Sequence, residues 1–288
     1  MTQPRIAFFG TPRFAVSILK VLEERGILPD LIVAQPDRPK GRKLVVTPPD
    51  TKVWATERGI SVYQPETLRN DEVVNWFINE GEWDLFIVAA YGLIIPQRIL
   101  DIPRRGTLNV HPSLLPKLRG ASPIQSSILS EDQTGVTIME MDAEMDHGPI
   151  VSQKQVPIAH WPPCARDLED VLAREGAHLL ADAIPEWLDD TLPAIPQEHE
   201  SATYCKKIIK EDALLDLSGD PEINLRKILA FHEWPKAYYF EELGGKALRV
   251  VVTDAHIAPD GSLHLDRVIP EGRKEMTYAN LCDLLGRT

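Results

Sequence analysis

The run LFIVAA, residues 85–90, decides the fold. Six consecutive apolar positions cannot make a strand with one wet face. They need cover on both sides, as in a parallel sheet between two layers of helices. The segments around the run supply such a sheet. Toward the amino terminus, residues 5–9 read as a strand and 14–25 as a helix with Phe14, Ile18, Leu19 and Leu22 on one face. A second short strand is expected over 31–34, and helices over 50–58 and 71–79. Toward the carboxyl terminus come a strand at 107–110, a helix near 123–129 and a long strand at 136–141. A strand around 150–156 and a long helix, roughly 166–187, follow. Strands alternating with helices give an α/β domain with a mostly parallel sheet and helices on both faces.

Residues 191–201 contain two prolines and several polar residues, and read as a linker. The chain therefore divides into a first domain over 1–190, a linker over 191–204 and a second domain over 205–288. In the second, a helix near 222–230 precedes short strand-like runs at 248–252 and 263–268 with glycine turns. That pattern predicts a small β-rich domain, a candidate barrel.

Length and composition fit this division. The 288 residues are enough for a substantial core, and 43% are apolar with no low-complexity tract. The amino-terminal apolar run is too brief to span a bilayer. Cys164, Cys205 and Cys282 are odd in number and far apart, so neither a disulfide framework nor a CxxC metal knuckle is expected, and a cytoplasmic setting fits. The net charge of −12 argues against a non-specific nucleic-acid coat. The charge is uneven, however. Residues 160–200 hold ten acids and two bases, whereas 34–58 hold six bases and three acids. A local basic finger on an acidic body can still meet a phosphate backbone.

Three polar residues in an apolar frame carry the chemistry. Asn109 and His111 lie two apart in GTLNVHPSLLPKLRGASPIQ, which begins at Gly106. Period-two geometry sends both side chains to one side of a strand, and carboxyl ends of parallel strands are where ligands bind. Pro112 then stops the ladder. Asp146 lies beyond the next strand, in the turn-like MDHG, from where its carboxylate would accept a hydrogen bond from His111. The plain alternative is that Asp146 caps its turn and His111 is a packing residue. An amide donor, an imidazole and a carboxylate suit transfer of an acyl or formyl group to an amine. The amide stabilises the developing oxyanion, the imidazole handles the proton, and the carboxylate orients the imidazole. No serine or cysteine nucleophile is needed. Spacings such as HExxH are absent, so no metal is implied.

Other signals are weaker. GTPRF at 10–14 opens a helix after a strand but lacks the further glycines of a dinucleotide fingerprint. Gly10 there permits a tight turn, and Pro12 suits a helix start. Arg38, Lys40, Arg42 and Lys43 make a basic loop, read either as a solvated loop or as a phosphate-binding finger. Arg119 would meet a phosphate, a carboxylate or local backbone. Trp234 and Tyr238 read as core or interface residues.

The matching stretches FFGTPRFA (8–15), QPDRPKGR (35–42), VAAYGLIIP (88–96), NVHPSLLPKLRGASPIQ (109–125), TGVTIMEMDAEMDHG (134–148), FHEWPKAY (231–238) and PEGRKEM (270–276) resemble the methionyl-tRNA formyltransferase family over nearly the whole chain. NVHPSLLP and MDHG alone would indicate only the wider formyltetrahydrofolate-using group. QPDRPKGR and the second domain narrow it. The resemblance implies a Rossmann-like first domain and a second domain like an oligonucleotide-binding barrel that touches tRNA. It implies transfer of formyl from 10-formyltetrahydrofolate to the amine of methionyl initiator tRNA by a monomer. It places the catalytic trio on Asn109, His111 and Asp146. Folate contacts fall on Ser113, Leu114, Leu115 and Pro116, and on the backbone of Ala89, Ala90, Tyr91, Gly92 and Leu93. Contacts to tRNA fall on Arg38, Lys40, Arg42 and Lys43. The sequence departs from the family pattern in a less basic GRKLVV run, in His147 where threonine is common, and in a shorter tail.

Two other functions use the same residues. Formyl transfer to a small amine would need neither the basic loop nor the second domain. An RNA-binding protein with a dead transfer domain would not need an intact trio.

Overall fold

The computed structural model describes residues 3–41 and 44–286. Its described residues form two compact units. The first comprises those of 1–120, 134–157 and 169–204, and the second those of 121–133, 158–168 and 205–288. The helix expected near 123–129 is thus grouped with the tail.

The first unit is built on a seven-stranded sheet. Its spatial order is Ile150–Val156, Thr134–Glu140, Thr107–His111, Leu85–Ala89, Ile6–Gly10, Leu31–Val33 and Ser61–Tyr63. The five strands from Thr107–His111 to Ser61–Tyr63 run parallel. At the other edge Thr134–Glu140 pairs antiparallel with Thr107–His111, and Ile150–Val156 pairs antiparallel with Thr134–Glu140. Every residue of Ile6–Gly10, Leu85–Ala89 and Thr107–His111 is buried, which is why LFIVAA shows no alternation. The helix Arg13–Glu24 buries Phe14, Ala15, Ile18, Leu19, Val21 and Leu22. Gly10 lets it pack closely, since a Cβ there would stand 2.7 Å from that of Ala15 and 3.0 Å from the Ala89 carbonyl oxygen. An aromatic cluster fills part of the core. Phe9 stacks on Phe77 at 5.6 Å and meets the Tyr91 ring edge-on at 5.5 Å.

Register fixes what stands at the sheet's carboxyl rim. Val88 pairs with Asn109, so the turn after Ala89 and the polar pair Asn109 and His111 emerge side by side. Asn109 also faces Met139, and His111 faces Thr137, across the antiparallel ladder.

The second unit contains a four-stranded antiparallel sheet in the order Tyr238–Leu243, Lys246–Ile257, Leu263–Pro270, Met276–Thr277. Its core includes Ile228, Tyr239, Val250, Val252, Val268 and Leu281. The helix Pro221–Ala230 starts under an Asp220 cap that accepts from the Glu222 and Ile223 amides. Arg226 joins it to the helix Pro123–Ser130 by donating to the carbonyls of Ile128 and Glu131. Tyr238 is buried beneath Arg249, whose guanidinium lies 4.0 Å from the ring centre, whereas Trp234 is exposed. No helix among the described residues is long and apolar enough to cross a membrane.

Candidate active site

Asn109 and His111 are 8% and 4% exposed and share one face of the Thr107–His111 strand by the two-residue repeat. The Asn109 side-chain amide makes no hydrogen bond to a described residue, so its donors remain available. His111 is held differently on its two edges. Nε2 lies 3.0 Å from the Leu118 carbonyl. A carbonyl only accepts, so Nε2 carries the hydrogen, and in the tautomer this selects Nδ1 is the acceptor. Nδ1 faces Asp146 Oδ1 at 3.6 Å, too far for the expected hydrogen bond. The shorter contact of Asp146 is from the Gly120 amide, 2.7 Å to Oδ2. A proton placed on Nδ1 would therefore create an imidazolium beside a carboxylate already fixed in place.

Two left-handed residues shape this corner. Leu118 has φ of 60° and Asp146 φ of 50°. A non-glycine residue in that region costs about 1–3 kcal/mol and persists where its surroundings hold it, which is often at a functional site.

The predicted folate segments flank the trio. Between His111 and Leu118 the chain folds back, with Ser113 and Leu115 buried and Leu114 and Pro116 half-buried. Thr137 pins this turn. Its hydroxyl donates to the Ser113 carbonyl at 2.7 Å and accepts from the Leu115 amide at 3.2 Å. Gln153 adds a 2.8 Å bond to the Leu115 carbonyl. The other segment turns at Ala90, with φ of 48°. Ala89 and Tyr91 are buried, and burial pushes the Tyr91 hydroxyl above its usual pKa. The Tyr91 carbonyl accepts from Thr11 Oγ1 at 2.9 Å and Gln35 Nε2 at 2.8 Å. Ala90 and Gly92 beside it are exposed and carry little side chain. A cavity of about 370 Å³ adjoins this segment, lined by 66–69 and 92–94.

The basic loop is a short antiparallel hairpin of Arg38–Lys40 with Val45–Thr47. Arg38 pairs with Glu66 at 2.5 Å. At the base, Gln64 and Lys52 bond Asp37 and hold its carboxyl below the usual range. Arg42 and Lys43 lie outside the described residues. Leu44, Val45 and Val46 are strongly exposed.

Arg119 turns to side chains rather than to local backbone. It is 1% exposed and bonds Gln197 and His199. His147 turns to Asp142, 2.7 Å away, and stacks on His199 with ring centres 4.1 Å apart. Sequence reading missed Thr137, Gln153 and Gln197. The first two sit on strands as ordinary alternating polar residues, and Gln197 lies in the stretch taken for a linker. That stretch is bonded into the sheet edge, because Ile195 and Ile150 exchange two 2.8 Å backbone bonds. Among the described residues, no cluster of three or more His, Cys, Asp or Glu side chains is arranged to hold a metal ion.

Comparison with known proteins identifies the family. A family model described as formyl transferase matches residues 4–184. A methionyl-tRNA formyltransferase of Neisseria gonorrhoeae is 42% identical over 248 residues, covering 85% of this chain and 80% of the relative. Among solved structures, a sugar N-formyltransferase from a Shewanella species superposes with a TM-score of 0.63 at 20% identity, covering 94% of this chain and 99% of the other. An N-formyltransferase from Helicobacter canadensis, in complex with folinic acid and dTDP-3-aminofucose, gives a TM-score of 0.60 at 17% identity, with 89% of each chain covered. The chain belongs to the methionyl-tRNA formyltransferase family of formyl transferases.

Proposed function

We propose that this chain transfers the formyl group of 10-formyltetrahydrofolate to the α-amine of methionine esterified to initiator tRNA, with Asn109, His111 and Asp146 as the reacting set. The observation that carries the roles is the asymmetry of His111. Its Nε2 edge is occupied by Leu118, and its Nδ1 edge faces a carboxylate across a gap.

The exposed backbone at Ala90 and Gly92, anchored through the Tyr91 carbonyl, is assigned to the pterin ring. The Ser113–Pro116 turn, fixed by Thr137 and Gln153, takes the role of a second folate contact. Bound there, the folate supplies the formyl carbon, and its N10 leaves with a proton. The remaining chemistry belongs to the protein. As the amine nitrogen bonds to the formyl carbon, negative charge develops on the formyl oxygen, and Asn109 Nδ2 donates to it. The amine proton passes to the Nδ1 edge of His111, where Asp146 stabilises the imidazolium. The proton then leaves to N10 as the carbon–N10 bond breaks, so the protein ends in its starting state. The setting is the cytoplasm and the active form a monomer.

The deciding experiment supplies 10-formyltetrahydrofolate labelled at the formyl carbon together with methionyl initiator tRNA or an amino-sugar nucleotide. Label is expected on the tRNA. Label only on the sugar would replace this reading with the small-amine one.

The basic hairpin is assigned to the tRNA backbone through Arg38, Lys40, Arg42 and Lys43. Each phosphate contact carries a salt-dependent share of affinity. Arg42→Ala is expected to raise KM for tRNA and flatten its dependence on salt, while KM for the folate stays unchanged. An unaltered salt slope would remove Arg42 from the interface.

A further inference from the structure

One amide holds the turn that carries Asp146. Gln197 is 5% exposed. Its Nε2 donates to the Asp146 carbonyl at 2.9 Å and to the Gly148 carbonyl at 2.7 Å. Its Oε1 accepts from Arg119 Nη2 at 2.6 Å and Nε at 3.1 Å. Both amide hydrogens and the amide oxygen are therefore engaged.

The contacts close a ring. Arg119 lies between Leu118, whose carbonyl accepts from His111 Nε2, and Gly120, whose amide donates to the Asp146 carboxylate. The path from Gly120 through Asp146 to Gln197 and back to Arg119 has a hydrogen bond at each non-covalent step. His111 and Asp146 are thus referred to the same three residues, 118–120. Asp146 is held in a left-handed conformation that few residues adopt unaided. Fixing these two carbonyls sets the Asp146–His147 and Gly148–Pro149 peptide planes, and the first of them bears directly on the direction of the Asp146 side chain. Arg119 supports the amide, and His199 in turn accepts from Arg119 at Nδ1, 2.9 Å away.

We infer that Gln197 is a positioning residue that keeps the Asp146 carboxylate opposite His111 Nδ1. The inference rests on the proposed role of Asp146. Gln197→Glu separates positioning from packing. The carboxylate still accepts from Arg119, with charge now matched, but it has no hydrogen for the carbonyls of Asp146 and Gly148.

The test measures formylation of methionyl-tRNA by Q197E in the wild-type background and in an Asp146→Asn background, with thermal midpoints as the folding control. Misplacing a reacting group by about 1 Å can cost up to about 100-fold, so kcat is expected to fall about 10- to 100-fold with both KM values within about threefold. In the Asp146→Asn background the added loss is expected to shrink to less than about threefold, because there is no longer a carboxylate to position. A Q197E enzyme with wild-type kcat overturns the inference. So does an equal loss in both backgrounds, or a chain unfolded at the assay temperature, since either marks Gln197 as structural only. A wild-type chain unable to formylate methionyl-tRNA would instead strike the parent reading.

Discussion

Asn109→Ala is expected to lower kcat/KM for formyl transfer at least ~100-fold, about 3 kcal/mol of transition-state stabilisation, while leaving the chain folded. The size follows from the proposed oxyanion role of an amide in a buried place. Asn109 is 8% exposed, so an oxygen held against its amide has little bulk water to turn to for its hydrogen bond. A donor preset on a fully buried strand needs no reorganisation when the charge appears. Substitution to alanine removes that donor from a site where water is a poor replacement.

The folded state should tolerate the change. The Asn109 backbone is bonded on both sides, in ladders with Val88 and Met139, and alanine keeps both. Because the side-chain amide has no hydrogen-bond partner among the described residues, its removal orphans no buried group there. The cost is confined to lost contacts and a small cavity. Asn109→Asp sharpens the test. It keeps the shape but replaces the donor with an ionised acceptor, and should be at least as inactive. The check is single-turnover formylation beside a urea midpoint. Activity of Asn109→Ala within threefold of wild type would remove the oxyanion role.

What the sequence made legible was what lies along one stretch of chain. The strand Ile150–Val156 and the helix Asp71–Asn79 were expected at their observed bounds, since alternation and helical periodicity are local signals. The pair Asn109 and His111 was visible because two-residue spacing alone puts both on one face. The strand Ser61–Tyr63 has three residues, too few for a period to show, and sheet pairing alone secures it. The strand Arg38–Lys40 has Pro39 at its centre, a signal that argues against a strand unless it lies at an edge, as it does here.

The supporting contacts were hidden for another reason. The Leu118 carbonyl and Gly120 amide, which hold His111 and Asp146, are backbone groups and carry no mark in the residue type. Gln197 reaches Asp146 across 51 positions from a polar, proline-bearing stretch that reads as linker. The bridge between Ile195 and Ile150 ties that stretch to the sheet edge.

Gly148→Ala is expected to lower activity as far as Asp146→Ala does, and to lower stability as well. Here space rather than backbone freedom demands glycine. A Cβ at 148 would stand 1.9 Å from the Glu140 carbonyl oxygen and 3.1 Å from its carbon, where real Cβ contacts essentially never fall below 3.0 Å. The obstacle is backbone at the end of the buried Thr134–Glu140 strand, and the Glu140 amide is itself bonded to the Pro149 carbonyl at 3.0 Å. It cannot swing aside as a side chain would. The turn must therefore move by about an ångström, and overpacking of this kind costs about 1–3 kcal/mol. Moving the turn carries the Gly148 carbonyl away from Gln197 and Asp146 away from Gly120. The methyl group touches no substrate, so its effect on kcat must pass through the carboxylate. In an Asp146→Ala background, Gly148→Ala should then lower the thermal midpoint again but leave kcat where it is. A further large fall in kcat would mean that the turn serves the reaction by some route other than Asp146, and full activity of Gly148→Ala alone would mean that its position does not matter.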